Sequence, residues 1–292
     1  YRMTIKETLK LNKAFEFAII SIMVIISVYF LIPLYLMIVN SFKPLSGIRG
    51  GNMLALPIEA SLDHWKTAWS TAQIGVQAIG LRPYFLNSIR MVIPAVLIST
   101  VMGAFSGFVL AKWRFKGDEI LFGLILFGCF IPFQIVLIPT AKVLGILHLA
   151  GTTRGLVLVH SVYGLGFTTL FFRNAYKTIP TEMIQAAKID GTDFMGIFTR
   201  IILPLSTPVF VVSIIWQTTN IWNDFLFGAS FGGAAAQPLT VALNNLVSSS
   251  TGVKEYNVHF AGALLAAIPT LIIYFVSGRY FVRGLTSGSV KG

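Results

Sequence analysis

The sequence predicts an all-α integral membrane protein with six transmembrane helices and a pair of cytoplasmic helices between the fourth and fifth. Three observations lead to this prediction: the composition, the long uncharged stretches and the distribution of basic residues. Only 11% of the 292 residues are charged, 55% are hydrophobic and the mean hydropathy is +0.78. Soluble domains carry about 25% charged residues, so this composition excludes an ordinary soluble fold.

Uncharged stretches bounded by charged residues are the predicted spans, because a helix needs about 20 apolar residues to cross the hydrocarbon core. They cover residues 17–42, 91–111, 120–141, 155–172, 201–223 and 260–278. The stretch 225–253 is also uncharged, but its second half is rich in Ser, Asn and Gly, so we predict a partly buried loop there. The predicted organisation is an N-terminal segment 1–16, a transmembrane domain 17–281 and a C-terminal tail 282–292.

The basic residues predict the orientation of these spans. With six spans, one side holds fourteen of the 22 Lys and Arg residues: those in both terminal segments and in the loops after the second and fourth spans. The more basic side is normally cytoplasmic, so both termini are predicted to be inside. The net charge of +11 then serves topology and does not indicate a nucleic-acid partner. Cys129 is the only cysteine, so neither an intrachain disulfide nor a thiolate metal cluster is expected.

The loop between the fourth and fifth predicted spans, residues 180–208, begins with a short helix. Pro180 suits a first helical turn, and Glu182 places a negative charge at the positive end of the helix dipole. Ala186 and Ala187 give this helix a shallow face that another surface can approach closely. Gly191, after Asp190, then ends the helix, because glycine accepts the left-handed conformation common past a C-terminus.

A second helix is predicted directly after this turn. Thr192 or Asp193 can cap its N-terminus. An apolar stripe then recurs at helical spacing: Phe194, Ile197, Phe198 and Ile201. Pro204 and Pro208 mark the start of the fifth span. The pattern indicates a helix–turn–helix outside the bilayer, joined rigidly to a transmembrane helix, or else an ordinary loop packed on the chain's own cytoplasmic ends.

The residue spacing in this loop resembles the EAA signature of importer-type ABC transporter permeases. Gln185-Ala186-Ala187 is followed by three residues ending in Asp190, then Gly191, nine residues, Ile201, one residue, and Leu203-Pro204. Only the first position departs from the signature, with Gln in place of Glu and hence without its charge. The sequences WNDF at 222–225 and GLTSGSVKG at 284–292 add to the similarity to carbohydrate permeases of the maltose-permease type, in particular their smaller subunit.

The resemblance implies a complex in the prokaryotic inner membrane. A second homologous permease, two cytoplasmic ATPase subunits and an extracytoplasmic substrate-binding protein would be the partners, with lipid around the spans. The helix pair would be the coupling helices that dock on the ATPases, and the signature residues named above would make that contact. The chain contains no G-x-x-x-x-G-K-[ST] phosphate loop. No cofactor is therefore expected on this chain, which is not itself an enzyme; ATP and Mg would bind the partner ATPase.

Polar residues inside predicted spans are candidates for a substrate path. The fifth span offers amide, carboxylate and aromatic groups, which together suit sugar hydroxyls and C–H faces: Trp216, Gln217, Asn220, Trp222, Asn223 and Asp224. Gln134 in the third span is a further candidate. Interhelical hydrogen bonding is the alternative role for the polar groups, and interfacial anchoring the alternative for Trp222. Asp224 and Arg90 could also pair with each other.

The resulting functional prediction is a permease subunit of an ATP-driven sugar or oligosaccharide importer that works by alternating access. A secondary transporter or channel subunit for a small polar solute is the alternative. Ion coupling in that class uses carboxylates or charged pairs deep in the spans, and the predicted spans carry none at their centres. Close helix packing is expected at Gly103, Gly107, Gly123 and Gly128.

Overall fold

The computed structural model describes residues 5–113, 115–248 and 254–286, and they are almost entirely helical. The parts of the predicted terminal segments at residues 1–4 and 287–292 lie outside the described residues. The first half of the chain contains α1 (Ile5–Ser41), α2 (Leu45–Arg49), α3 (Asp63–Ser70), α4 (Arg82–Lys112), α5 (Asp118–Phe130), α6 (Phe133–Ile146) and α7 (Thr153–Lys177). A two-stranded antiparallel hairpin, β1 (Gln73–Ile74) and β2 (Gln77–Ala78), lies between α3 and α4 and pairs Gln73 with Ala78.

The second half begins with α8 (Thr181–Ile189). After a turn, one continuous helical segment follows, made of α9 (Phe194–Ile197), a π-helical turn (Phe198–Ile202) and α10 (Leu203–Leu205). The chain ends with α11 (Thr207–Trp222), α12 (Leu226–Phe231), a 3₁₀ turn (Ala234–Ala236), α13 (Leu239–Ser248) and α14 (Tyr256–Thr286).

Four described helices are long and apolar enough to cross a membrane: Phe15–Ser41, Arg82–Lys112, Thr153–Lys177 and Tyr256–Ser277. Two bent helix pairs also pass this test: α5 with α6, bent by 101°, and Phe194–Leu205 with α11, bent by 78°. The number of spans is six if each bent pair counts as one. The all-α membrane fold is confirmed, whereas the number six stays a prediction.

The predicted third span, residues 120–141, is not one continuous helix. Ile131 and Pro132 adopt extended backbone between α5 and α6. The residue before a proline is disfavoured in helical conformation, and proline has no N–H to donate, so the helix stops at Phe130.

The predicted boundaries of the fifth span and of the following loop are wrong. Residues 201–205 belong to the helical segment before the 78° bend, and the apolar helix of the span begins at Thr207. The stretch 225–253, predicted as a loop, holds α12, the 3₁₀ turn and α13. Its Ser, Asn and Gly content concealed a helical pattern of buried residues: Leu239, Val241, Ala242 and Leu246.

The helices α4 and α7 form the closest pair in the fold. A Cβ placed on Gly103 would lie 2.1 Å from Thr168 Oγ1, and one on Gly107 would lie 2.8 Å from the Arg173 backbone nitrogen. Small residues allow this approach of two helices, as predicted for both glycines. A Cβ on Gly123 or Gly128 would meet nothing within 4 Å in the described residues, so close packing is not found there.

Candidate functional site

The predicted helix–turn–helix is present between α7 and α11, and its turns use the expected capping chemistry. Gly191 has φ +79°, and the Thr192 N–H donates a 2.9 Å hydrogen bond to the Ala187 carbonyl. Asp193, and not Thr192, caps the second helix, because its Oδ1 accepts a 2.9 Å hydrogen bond from the Gly196 N–H. We call residues 180–205 the coupling segment, after the role that its sequence predicts.

One face of the coupling segment is buried against the rest of the chain, and the other face is exposed. Ile184, Ala187, Ile197, Phe198 and Ile202 are buried in a cluster with residues of α4 and α7. The signature positions on the other face are exposed: Gln185, Ala186, Asp190, Gly191, Leu203 and Pro204. Ile201 is half-buried, and Ala187 is the one signature residue that packs inward. Met183 and Ile189 add exposed apolar area to the outer face.

The C-terminal end of α4 contacts both ends of α8, and we call these contacts the clasp. At the N-terminal end, Lys112 Nζ donates to the Ile179 carbonyl and lies 3.4 Å from Thr181 Oγ1. At the C-terminal end, Lys188 Nζ lies 3.7 Å from the centroid of the Trp113 ring, within the range of a cation–π interaction.

Aromatic packing continues this clasp into the second helix. The Trp113 and Phe194 ring centroids are 5.1 Å apart, and Phe105 stacks on Phe198 at 4.3 Å. The coupling segment is therefore seated on the ends of α4 and α7.

The junction with the fifth span, expected to be rigid, is bent by 78°, and its rigidity stays a prediction. Ser206 separates the coupling segment from α11, and the helix axes differ by 78° across it. Pro208 stands in the first turn of α11 and has no N–H to continue the helical hydrogen bonds across the break. The π-helical turn at Phe198–Ile202 lies directly before the break, and π-helical turns are frequent at functional sites.

An ion pair between the buried Arg173 and the half-exposed Glu119 joins the same end of α7 to α5. Arg173 is 4% exposed, and its Nη2 lies 2.7 Å and 2.6 Å from the two Glu119 carboxylate oxygens. The Arg173 guanidinium also sits 3.7 Å from the centroid of the Phe122 ring. Because breaking the pair would leave the buried Arg173 charge uncompensated, this contact resists separation of α5 from α7.

A second candidate site is a cavity of about 250 Å³ between α6, α7, α11 and α12. Four of the predicted substrate-path residues line it: Trp216, Gln217, Asn220 and Asp224. The aromatic rings of Phe133, Tyr163, Phe167 and Phe227 complete its apolar wall, together with His160. These residues bring flat apolar faces and hydrogen-bonding groups to one small space.

The polar residues of this cavity are held by contacts within the chain. Gln217 is 2% exposed, and its Nε2 donates a 3.0 Å hydrogen bond to Ser99 Oγ on α4. Asp224 accepts hydrogen bonds from the Phe227 and Gly228 N–H groups at 3.3 and 3.0 Å, which caps α12. Asp224 Oδ2 also lies 3.6 Å from His160 Nε2. The partner of Asp224 is therefore His160, whereas the sequence suggested Arg90.

Three predicted residues lie outside the cavity. Gln134 is exposed, and its neighbour Phe133 faces the cavity instead. Trp222 is buried and donates from Nε1 to the Ala266 carbonyl at 2.9 Å, in the manner of a packing residue. Asn223 is exposed at the C-terminal end of α11.

Sequence reasoning missed the part that α7 contributes. His160, Tyr163, Gly164 and Phe167 all line the cavity and are spaced as one helical face. Within the described residues, His160 Nε2 is buried without a hydrogen-bond partner. The signal that could have found this face was its mixture of aromatic and polar residues at intervals of three and four. No group of three or more His, Cys, Asp or Glu in the described chain could hold a metal ion.

Comparisons with known proteins agree with this architecture. A probable ABC transporter permease protein of Pyrococcus horikoshii is 48% identical over 189 residues, which cover 64% of this chain and 68% of the relative. The xylose/arabinose import permease protein of Haloferax volcanii is 30% identical over 280 residues, 88% of this chain and 87% of the relative. A crystal structure of a bacterial ABC transporter that imports the acidic polysaccharide alginate superposes with a TM-score of 0.81 at 18% identity, over 96% of this chain and 99% of that chain.

The match to a protein family covers most of the chain and includes both candidate sites. Residues 99–286 match the family described as binding-protein-dependent transport system inner membrane component. This range holds α7, the coupling segment, α11 and the cavity between them. The chain therefore belongs to the family of inner-membrane components of binding-protein-dependent transport systems.

Proposed function

We propose that this chain is the membrane-spanning permease subunit of an ATP-driven importer for a sugar or oligosaccharide, and that it works by alternating access. The observation that carries the proposal is the coupling segment, whose signature residues are exposed on one face while the other face is seated on α4 and α7. A subunit that is driven from outside the membrane needs both faces: one to receive a partner and one to pass on its motion.

The proposed complex contains a second homologous permease, two ATPase subunits that bind ATP and Mg, and a soluble substrate-binding protein. The exposed face of α8, with Gln185 and Ala186 flanked by Met183 and Ile189, has the mixture of polar and apolar groups that suits a protein contact. Both termini and the coupling segment lie in the cytoplasm in this proposal. The bent pair of α5 and α6 then crosses the bilayer once, and α11 alone forms the span after the coupling segment, which gives six spans.

The sugar specificity rests on the cavity chemistry together with the relatives. The cavity places the Trp216 and Tyr163 rings near the amides of Gln217 and Asn220. Aromatic faces and amides bind sugar C–H faces and hydroxyls respectively. The similar permease of Haloferax volcanii is named for import of xylose and arabinose. We propose this cavity as part of the sugar path on this chain.

The alternative is a subunit of a secondary transporter or channel. The His160–Asp224 pair is the one feature that would favour it, since titratable pairs within spans serve ion coupling in that class. However, Asp224 is engaged in capping α12, and an exposed coupling segment has no role in an ion-driven carrier.

Affinity purification of the chain from its native membrane in mild detergent, with mass spectrometry of the associated proteins, tests the proposal. We expect a second permease and an ATPase with a phosphate-binding loop, and reconstitution of that complex should give ATP-dependent sugar uptake into vesicles. A chain that purifies alone, in a detergent that preserves other transporter complexes, would favour the carrier or channel instead.

A further inference from the structure

The loop that follows α1, on the membrane face opposite the coupling segment, folds back along the helix it has just left. Asn40 Nδ2 donates to the Leu36 carbonyl at 2.7 Å and to the Met53 carbonyl at 3.0 Å. Tyr35 Oη donates to the Leu54 carbonyl at 2.7 Å. Residues 53 and 54 therefore lie beside the turn of α1 that contains Tyr35 and Leu36.

This position is below the end of the apolar part of α1. Leu36 precedes the last residue of the helix, Ser41, by five residues, which is about 7 Å along the axis at 1.5 Å per residue. The apolar run of α1 continues past this level to Val39 and stops at Asn40. The Met53 and Leu54 carbonyls thus lie beside the last apolar turns of α1, where that helix approaches the edge of the hydrocarbon.

The carbonyls of residues 52–54 have hydrogen-bond donors within the chain, which a backbone beside the hydrocarbon needs. Lys43 is 4% exposed, and its Nζ donates to the carbonyls of Asn52 and Met53 at 3.0 and 3.3 Å. Asn52 Oδ1 accepts from the Leu54 N–H at 2.9 Å, and the Asn52 carbonyl accepts from the Ala55 N–H at 3.1 Å. These three carbonyls, which would otherwise need water, therefore accept hydrogen bonds from the protein.

The side chains of the same loop show the opposite pattern. Leu54 is 55% exposed and Leu56 is 71% exposed. A loop made for water normally presents polar side chains and leaves its backbone to the solvent. Here the backbone carbonyls turn inward onto Lys43, Asn40 and Tyr35, while the two leucines are exposed, as is Ile38 on α1.

We infer that residues 53–56 form an anchor in the leaflet opposite the coupling segment, with Leu54 and Leu56 inserted among the lipid acyl chains. Lipid is the occupant that the depth specifies, because the anchor continues the exposed apolar face of a membrane-spanning helix. The hairpin β1–β2 provides the contrast: Val76 at its tip is 95% exposed but lies between Gln73 and Gln77, with no contact of this kind to a span. The inference concerns the bilayer and does not depend on the transported solute.

Spin labelling of single cysteines tests the anchor in the full chain with its co-purifying subunits, in lipid nanodiscs without any binding protein. Cys129→Ala removes the native thiol, and Leu56→Cys or Val76→Cys then carries the label. Collision rates with oxygen, which partitions into acyl chains, and with a water-soluble nickel chelate give the environment of each label. We expect the label at residue 56 to favour oxygen and the label at residue 76 to favour nickel.

Two results would overturn the inference. A residue 56 label that favours nickel would place the loop in water, and one shielded from both reagents would place it under another protein subunit. Leu54→Cys is the second site in case the Leu56 variant does not assemble, and the same results apply to it. Tyr35→Phe, which removes the hydrogen bond to the Leu54 carbonyl, should shift the residue 56 label towards nickel and leave the residue 76 label unchanged.

Discussion

The turn at Gly191 offers a sharp test of the coupling segment, because within the chain its replacement changes the backbone energy without a steric clash. Gly191 has φ +79°, a conformation that side chains with a Cβ rarely adopt. A Cβ built at this position meets nothing within 4 Å, so Gly191→Val introduces no clash. The cost is the strain of a β-branched residue in the left-handed region, about 1–3 kcal/mol.

That strain is large enough to change how α8 meets α9. The turn is held by two backbone hydrogen bonds, from the Gly191 N–H to the Lys188 carbonyl at 3.1 Å and from the Thr192 N–H to the Ala187 carbonyl at 2.9 Å. Every 1.4 kcal/mol is a factor of ten in an equilibrium. A strain of about 1–3 kcal/mol therefore favours an opened turn over the native one by about 5-fold to 140-fold relative to wild type.

The assay is ATP-dependent uptake into vesicles alongside ATP hydrolysis by the reconstituted complex. In the Gly191→Val chain we expect uptake per ATP hydrolysed to fall about tenfold, in line with the opened turn. Gly117→Val is the matched control, because Gly117 has φ +95° and its Cβ also meets nothing within 4 Å. It lies before α5, outside the coupling segment, and should lower stability without lowering the uptake-to-hydrolysis ratio.

Gly191→Asn completes the test, since asparagine tolerates the left-handed conformation and should retain most of the coupling. Normal uptake per ATP in the Gly191→Val chain at normal abundance would refute the reasoning. Equal loss of coupling in Gly117→Val and Gly191→Val would refute it as well, because the effect would then be one of general stability.

Two further predictions concern the packing of α4. Gly103→Ala should destabilise the detergent-solubilised protein by about 1–3 kcal/mol, because its Cβ would lie 2.1 Å from Thr168 Oγ1. Gly123→Ala should not destabilise it, since its Cβ meets nothing within 4 Å, and thermal unfolding of the two variants tests the difference. Trp113→Ala should reduce uptake per ATP hydrolysed, since it removes the ring beneath Lys188, and Trp113→Phe should keep part of that uptake. Equal uptake per ATP in the wild type and both variants would contradict a role for the clasp in coupling.

The local chemistry of the coupling segment could be predicted from sequence because each signal acts over a few residues. Asp193 caps α9, Gly191 takes the left-handed turn, and Phe198 and Ile197 are buried as their spacing indicates. The bend at Ser206 could not be predicted in the same way. Pro204 and Pro208 mark an irregularity, but only the packing of the second helix on α4 and α7 decides that the chain turns by 78° there.

The cavity shows the same limit. Trp216, Gln217 and Asn220 lie on α11 and Asp224 follows two residues after its end, so their closeness in the sequence predicted that they lie together. His160 and its neighbours on α7 face them only because α7 and α11 pack in this arrangement, which no local pattern encodes. Composition likewise concealed α13, whose burial is set by its contact with α4 and α14 and not by its own hydropathy.

The route by which motion enters the membrane follows from these contacts. A push on the exposed face of α8 reaches α4 through Lys112 and Trp113 and reaches α7 through the buried cluster. At Ser206 the helix axis turns by 78°, so α11 leaves the coupling segment in another direction, although Val209 and Phe210 at its start still pack on the same buried cluster. The cavity lies between α7 and α11, so a motion that moves α7 more than α11 changes the distance between its two walls. The bend thus gives α7 and α11 different geometric relations to the coupling segment, and the proposed sugar path lies between these two helices.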